Sequence, residues 1–97
     1  MWIVEYTAEF ELQLQQLPID WKRREGIDVT LRWELARDPR SAGWPDENDP
    51  DAASGQAWVR PICAAEGDPD LVVFYVLSDT AVVVYGIELT EKPSENE

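Results

Sequence analysis

Two long apolar segments near the end of the chain constrain its fold more than any other feature. Residues 71–77 and 81–87 are almost continuous runs of aliphatic and aromatic residues, a pattern typical of strands that are covered on both faces. Only Ser78, Asp79 and Thr80 separate the two runs, and a connection this short joins neighbouring antiparallel strands. The sequence therefore predicts a β-hairpin in the centre of a sheet.

The first 37 residues predict one strand followed by two helices. Residues 2–6, Trp-Ile-Val-Glu-Tyr, are rich in aromatic and β-branched residues and favour a strand. Apolar residues then recur at helical spacing up to Pro18 and again over residues 20–37. Thr7 and Asp20 are the predicted N-caps. Within the second helix Gly26 weakens the pattern, and Trp33 is expected to widen the buried face.

The rest of the chain predicts a loop, a further strand and a tail. Residues 38–55 hold three prolines, two glycines and five acidic residues, which indicates an acidic loop. Residues 56–64 favour a strand in which Pro61 indicates an edge position or a bulge. Residues 90–97 are polar and predict a flexible tail. The predicted order is β-α-α-β-β-β, an α+β domain over residues 1–89 whose antiparallel sheet carries a helical hairpin on one face.

The charge of the chain opposes contact with polyanions. Twenty Asp and Glu against eight Lys and Arg give a net charge of −12, and nucleic-acid binding depends on cations that displace counterions from phosphates. Direct binding to nucleic acid or to an anionic membrane surface is therefore disfavoured. No segment approaches the roughly 20 apolar residues of a membrane span, and a cytoplasmic location is the expectation.

Composition also removes several kinds of site. The chain has no histidine and a single cysteine, which excludes a histidine general base, an intrachain disulfide and a zinc site built from histidines and thiolates. The loop carboxylates lack the glycine and the distant glutamate of a calcium-binding EF-hand loop, so we interpret them as a solvated acidic loop. They are Asp46, Glu47, Asp49 and Asp51. We expect no metal and no cofactor.

Four phrases in their observed order resemble the RelE/ParE family of type II toxin–antitoxin toxins. They are WIVEYTAEFELQLQQLP, LRWELARDPR, AWVRPI and DLVVFYVLSDTAVVVYGIEL, and together they extend over nearly the whole chain. The resemblance implies a toxin that either cuts mRNA on the ribosome or inhibits DNA gyrase, and an antitoxin that wraps around it. It also implies a ribonuclease that works without histidine, through Lys and Arg and often a C-terminal tyrosine.

Carried over to this chain, the resemblance points to Arg60, Lys92 and Tyr85 as catalytic residues. The match to the family's basic positions is incomplete, because Asp70 precedes the strand that the family begins with an arginine. Each residue also has a structural interpretation. Arg60 and Lys92 would pair with carboxylates such as Glu88 or Glu66, and Tyr85 would pack across strands.

Five residues are candidates for binding a protein partner. Trp44 and Trp58 border the acidic loop, and exposed tryptophans are common at interfaces; Trp44 would alternatively anchor the loop to the core. Lys22, Arg23 and Arg24 form the one basic run, whose alternative interpretation is a solvated helix face neutralised by nearby carboxylates.

The expected function is that of a toxin-like component of a toxin–antitoxin module, with weak or absent ribosome-dependent RNase activity. Two alternatives stay open: a non-toxic, acidic protein-binding module on the same fold, and a gyrase-directed toxin. The expected partner is a protein, either an antitoxin or another protein that is basic.

Overall fold

The computed structural model describes residues 1–46, 57–62 and 70–89. The described elements are β1 (Ile3–Tyr6), α1 (Ala8–Gln16), α2 (Trp21–Arg37), α3 (Pro39–Ala42), β2 (Trp44–Pro45), β3 (Ala57–Ile62), β4 (Leu71–Leu77) and β5 (Ala81–Leu89). The strands form one sheet in the order β1-β5-β4-β3-β2. This arrangement confirms the predicted α+β class and the central hairpin β4–β5.

The sheet is mixed, which corrects the prediction of an antiparallel sheet. β1 pairs with β5 in parallel, from Ile3 opposite Ala81 to Tyr6 opposite Val84, whereas the other strand pairs are antiparallel. The parallel pairing follows from the connection, because α1 and α2 carry the chain away from β1 and allow β5 to enter beside it. Successive side chains alternate between the two faces in either kind of sheet, so this pattern does not indicate whether the neighbouring strand is parallel or antiparallel.

Capping side chains start both long helices where the sequence places them. The Thr7 hydroxyl accepts a hydrogen bond from the Phe10 N–H at 3.1 Å, and the Asp20 carboxylate accepts one from the Arg23 N–H at 2.8 Å. α1 ends just before Pro18, as predicted. α2 continues through Gly26 without interruption, because burial of one face against the sheet offsets the low helix propensity of a single glycine.

One face of the sheet and the inner faces of the helices form the core. The buried side chains come from both hydrophobic runs of the hairpin and from the predicted stripe of α2. The fully or almost fully buried members are Phe10, Ile27, Leu31, Leu35, Leu71, Val73, Tyr75, Val82, Val84 and Ile87. The prediction that Trp33 widens the buried face of α2 is wrong. Its side chain is 60% exposed, because it lies on the side of α2 that faces away from this core.

Part of the predicted acidic loop is ordered structure. Asp38 begins the short helix α3, where its carboxylate accepts hydrogen bonds from the N–H and the hydroxyl of Ser41 at 3.4 and 2.7 Å. These hydrogen bonds lower the pKa of the Asp38 carboxyl. β2 then pairs with the middle of β3. Residues 47–55 of the predicted loop, and the predicted tail from residue 90, lie outside the described residues.

β2 pairs only with Trp58 and Val59 of β3. Pro61 therefore lies on a part of β3 that has no further strand beside it within the described residues, in agreement with the predicted edge position. None of the helices that the structure describes has the length and apolar character needed to cross a membrane.

Candidate functional site

Arg60 is held against α2. It lies opposite the core residue Val73 in the β3–β4 register, which directs its side chain to the helix-covered side of the sheet. Its Nε donates to the Glu34 carboxylate at 2.8 Å, and its Nη2 donates to the same oxygen. Its Nη1 donates to the Pro61 carbonyl at 2.9 Å. Arg60 therefore pairs with a carboxylate, as predicted, but its partner is Glu34 of α2 and not one of the example residues Glu66 and Glu88.

Tyr75 lies in the core near this ion pair. Its side chain is fully buried, and its hydroxyl donates to the Pro39 carbonyl at 2.6 Å. This hydrogen bond joins the central strand β4 to the start of α3. Burial raises the pKa of Tyr75 above its ordinary value. Tyr75 is therefore a structural group that stays protonated, rather than a proton donor for chemistry near pH 7.

The Tyr75 environment predicts a loss of stability in alkali. The unfolded chain releases its tyrosine protons near pH 10. The folded chain retains the proton of Tyr75 until the pH approaches the raised pKa of this residue. The unfolded state then binds fewer protons, so the free energy of unfolding falls as the pH rises above about 10. Tyr75→Phe is expected to remove up to about 1.4 kcal/mol per pH unit from this slope. Urea unfolding of both proteins between pH 8 and pH 11 measures it, and identical slopes would contradict the assignment.

Tyr85 lies on the opposite side of the sheet from Arg60. The β4–β5 pairing shifts register between Phe74 and Tyr75, and the Tyr85 ring lies 6.2 Å from that of Phe74. Both rings border a shallow cleft whose charged lining is acidic, with no cation among the lining residues that the structure describes. That lining consists of Glu9, Gln13, Asp46, Phe74, Tyr85, Gly86 and Glu88.

The structure therefore does not bring the predicted catalytic residues together. Arg60 faces α2 and is paired with Glu34, whereas Tyr85 contributes to an acidic cleft on the other face. Lys92 lies outside the described residues. Arg60 is the one basic residue within the described strands, so this part of the sheet offers the Tyr85 cleft no cation. The catalytic roles stay predictions, and the described geometry does not support them.

The two candidate partner-binding tryptophans also lie on different faces. Trp44 pairs with Val59, and Trp58, the residue before Val59, pairs with Pro45; neighbouring residues of a strand point to opposite faces. Trp44 is 62% exposed, so it does not anchor this segment to the core. Trp58 is half-buried and packs against the core. Trp44 alone of the two is available to a partner.

The basic run at the start of α2 has partly structural roles. Arg24 donates hydrogen bonds from its guanidinium to the carbonyls of Leu14, Gln15 and Leu17, at 3.1 to 3.2 Å. These carbonyls lie at the C-terminal end of α1 and at its C-cap Leu17, where carbonyls have few partners within the helix itself. Arg24 therefore joins the two helices, while Lys22 places its ammonium 5.9 Å from the exposed Trp21 ring.

The outward side of α2 carries a surface that the sequence reasoning missed. Val29 and Trp33 are each 60% exposed, and the Arg37 guanidinium lies 4.3 Å from the centre of the Trp33 ring. Trp33 and Arg37 also border a cleft of about 530 Å³ at the end of α2. A signal was present in the sequence, because Val29 and Trp33 fall outside the buried stripe of Ile27, Leu31 and Leu35.

Comparison with solved structures identifies the fold. A chain of the intact E. coli RelBE toxin–antitoxin complex superposes with a TM-score of 0.63 at 16% identity, over 95% of this chain and 100% of that one. The isolated E. coli RelE toxin superposes with a TM-score of 0.68 at 14% identity, over 98% of this chain and 90% of that one. The chain has the fold of the RelE toxin.

The likeness to RelE is one of fold, since fewer than one residue in five is identical. No protein-family model matches the chain, and no curated protein matches it. The RelE fold confirms the resemblance inferred from the four phrases. Which residues of this version of the fold are functional depends on its own side chains.

Proposed function

We propose that this chain is a toxin-like component of a type II toxin–antitoxin module, which binds an antitoxin and has weak or no ribosome-dependent RNase activity. The RelE fold supports the assignment to a toxin–antitoxin module, because one of the similar chains comes from a toxin–antitoxin complex. The exposed tryptophans Trp33 and Trp44 support a protein partner, since exposed tryptophans are enriched at the energetic centres of interfaces.

The position of Arg60 supports the proposal that the RNase activity is weak or absent. Phosphoryl transfer places negative charge on the phosphate oxygens, and enzymes stabilise it with cations that are fixed in advance. Here the one basic side chain of the described strands is already neutralised by Glu34 on the helix-covered side. The cleft on the other side presents Glu9, Asp46 and Glu88, whose charges repel a phosphodiester.

A ribosome-dependent cleavage assay tests the RNase part directly. Purified protein is added to ribosomes stalled on a defined mRNA, with E. coli RelE as the positive control, and cleavage is followed by primer extension. We expect no cleavage above the level without added protein. Glu34→Gln should not create activity, because Arg60 would still project towards α2. Cleavage at a rate comparable with that of RelE would refute the proposal of weak or absent activity.

Expression of the chain alone in a bacterial host separates the remaining alternatives. Growth is followed together with the incorporation of labelled amino acids and labelled thymidine. An early loss of thymidine incorporation would identify a gyrase-directed toxin, and an early loss of amino-acid incorporation a translation target. Normal growth with soluble protein present would favour the non-toxic binding module.

Antitoxin binding is tested with a small protein encoded next to this chain. Co-expression followed by size-exclusion chromatography is expected to give a complex that survives purification. The absence of both a growth defect and an adjacent small binding partner would reject the toxin–antitoxin assignment. Salt-sensitive capture of basic proteins, with translation unaffected, would instead support the acidic binding module.

A further inference from the structure

The charges of this acidic chain are segregated. Residues 21–42, which form α2 and α3, contain six of the eight Lys and Arg but only four carboxylates. This segment has a net charge of +2, and the remaining residues, with two cations and sixteen carboxylates, carry −14. A partner that contacts α2 and α3 therefore meets more cations than carboxylates on this segment, in contrast to the chain as a whole.

The outward side of α2 has a defined order of groups along its axis. Lys22, Gly26, Val29, Trp33 and Arg37 are spaced by four, three, four and four residues, so they share one side of the helix. We call this set the α2 outer face. It has a cation at each end and an apolar centre, and its length from Lys22 to Arg37 is about 22 Å at 1.5 Å per residue.

The apolar centre of the α2 outer face is accessible. Val29 and Trp33 each keep more than half of their surface exposed. A Cβ added to Gly26 would meet nothing within 4 Å, so a side chain from a partner can approach the helix backbone there. Exposed apolar groups arranged in this way beside charged groups mark interaction sites on soluble proteins.

The two terminal cations are available to carboxylates of a partner. Arg32 is paired with Asp28 and Arg60 with Glu34, whereas Arg37 and Lys22 form no ion pair within the described residues. Arg37 stacks on Trp33 and Lys22 lies near Trp21. An arginine stacked on a tryptophan is held in place by the ring, which lowers the entropy lost when it binds a carboxylate.

We propose that the α2 outer face binds an amphipathic helix with an apolar centre and acidic residues near both ends. Apolar side chains of that helix cover Val29 and Trp33, and its carboxylates pair with Lys22 and Arg37. This inference deepens the proposed function, because it gives the chemistry of the protein partner. It differs from the sequence-based expectation of a basic partner, which rested on the net charge of the whole chain.

Charge argues against two other occupants. A second copy of this chain, docked with two-fold symmetry, would oppose Lys22 of one copy to Arg37 of the other and bring like charges together. Nucleic acid would gain little from the apolar centre, and the −14 charge of the remaining residues would repel it. An acidic amphipathic helix satisfies both the apolar and the cationic groups.

A pair of designed peptides tests the proposal. Each has about 18 residues, enough for five turns, with leucines on one side of its centre and either glutamate or lysine near both ends of that side. Binding to the full chain is followed by fluorescence anisotropy of a labelled peptide. We expect the glutamate peptide to bind at least about tenfold more tightly than the lysine peptide, with an affinity that falls as salt is added.

Three variants locate the binding. Trp33→Ala and Arg37→Glu are each expected to weaken the glutamate peptide by about tenfold or more, and Arg37→Glu should strengthen the lysine peptide. Leu12→Ala is the control, because it also removes an exposed apolar side chain from a helix, 55% exposed, but Leu12 lies in α1 and outside the α2 outer face. The affinity of this control variant for the glutamate peptide should stay within about twofold of that of the unmodified chain. Circular dichroism verifies that each variant is folded.

Several results would overturn the proposal. Equal binding of the two peptides, no binding at concentrations of about 1 mM, or an affinity unchanged by both Trp33→Ala and Arg37→Glu would each reject the surface. Displacement of the glutamate peptide by a single-stranded RNA oligonucleotide would show instead that the surface binds nucleic acid. An antitoxin that binds Trp33→Ala as tightly as the unmodified chain would reject this surface and leave the proposed function intact. Failure of the unmodified chain to bind any antitoxin would count against the proposed function alone.

Discussion

Replacing Leu35 by alanine is expected to lower the free energy of unfolding by about 2–5 kcal/mol. Leu35 is fully buried, and it belongs to the stripe that packs α2 against the sheet. The substitution removes three buried carbon atoms and leaves a cavity that the surrounding strands fill only in part. Chemical unfolding with urea, followed by circular dichroism, measures the change.

Leu12→Ala is the matched control for this prediction. The substitution Leu12→Ala removes the same three carbon atoms from a helix, α1, but the Leu12 side chain is exposed. We expect an effect within about 0.5 kcal/mol, as for most surface substitutions. Comparable losses for the two variants would show that α2 is not the helix that the core depends on. This matters for function, because the same helix presents Trp33 and Arg37 on its other side.

Replacing Gly43 by alanine is expected to cost about 2–3 kcal/mol of unfolding free energy. Gly43 lies between α3 and β2, and a Cβ there would overlap the Val59 carbonyl oxygen and lie 2.6 Å from the Tyr75 hydroxyl oxygen. Neither atom moves easily, because Val59 belongs to β3 and the Tyr75 hydroxyl is bonded to Pro39. The φ angle of −150° is ordinary extended backbone, so the cost is steric.

Gly26→Ala is the internal comparison and should have the opposite sign. Gly26 lies inside α2, and an added Cβ meets nothing within 4 Å. Alanine should therefore stabilise the helix by up to about 1 kcal/mol, the difference in helix propensity. Urea unfolding of the two variants gives both values. Destabilisation by Gly26→Ala, or a neutral Gly43→Ala, would contradict the packing described for these two glycines.

Local sequence patterns predicted most of the elements. The runs at residues 71–77 and 81–87 contain enough apolar residues to require burial, and only three residues separate them, so the hairpin β4–β5 follows from short-range chemistry. The caps Thr7 and Asp20 were predictable because each side chain bonds an N–H only three residues away. The likeness of the four phrases to toxins of the RelE type was likewise sufficient to predict the fold.

Patterns failed where an element lacks a strong signal of its own. α3 and β2 have four and two residues, too few for a periodicity to be recognised among prolines and acidic residues. They form because contacts with other parts of the chain hold them: Tyr75 bonds the carbonyl of Pro39, and Trp44 pairs with Val59. Such contacts join residues that are 15 or more positions apart in sequence.

The functional side chains depended on the tertiary structure even more strongly. The composition established by itself that the chain is acidic and has no histidine chemistry. Alternation along β3 placed Arg60 and its neighbours on alternate faces, but only the packing of α2 on the sheet decided that Arg60 meets Glu34 and is separated from Tyr85. Likewise, the net charge of −12 concealed a basic helix. Charge acts over a Debye length of about 10 Å, so its distribution in space, rather than its sum over the chain, determines which partner this protein can bind.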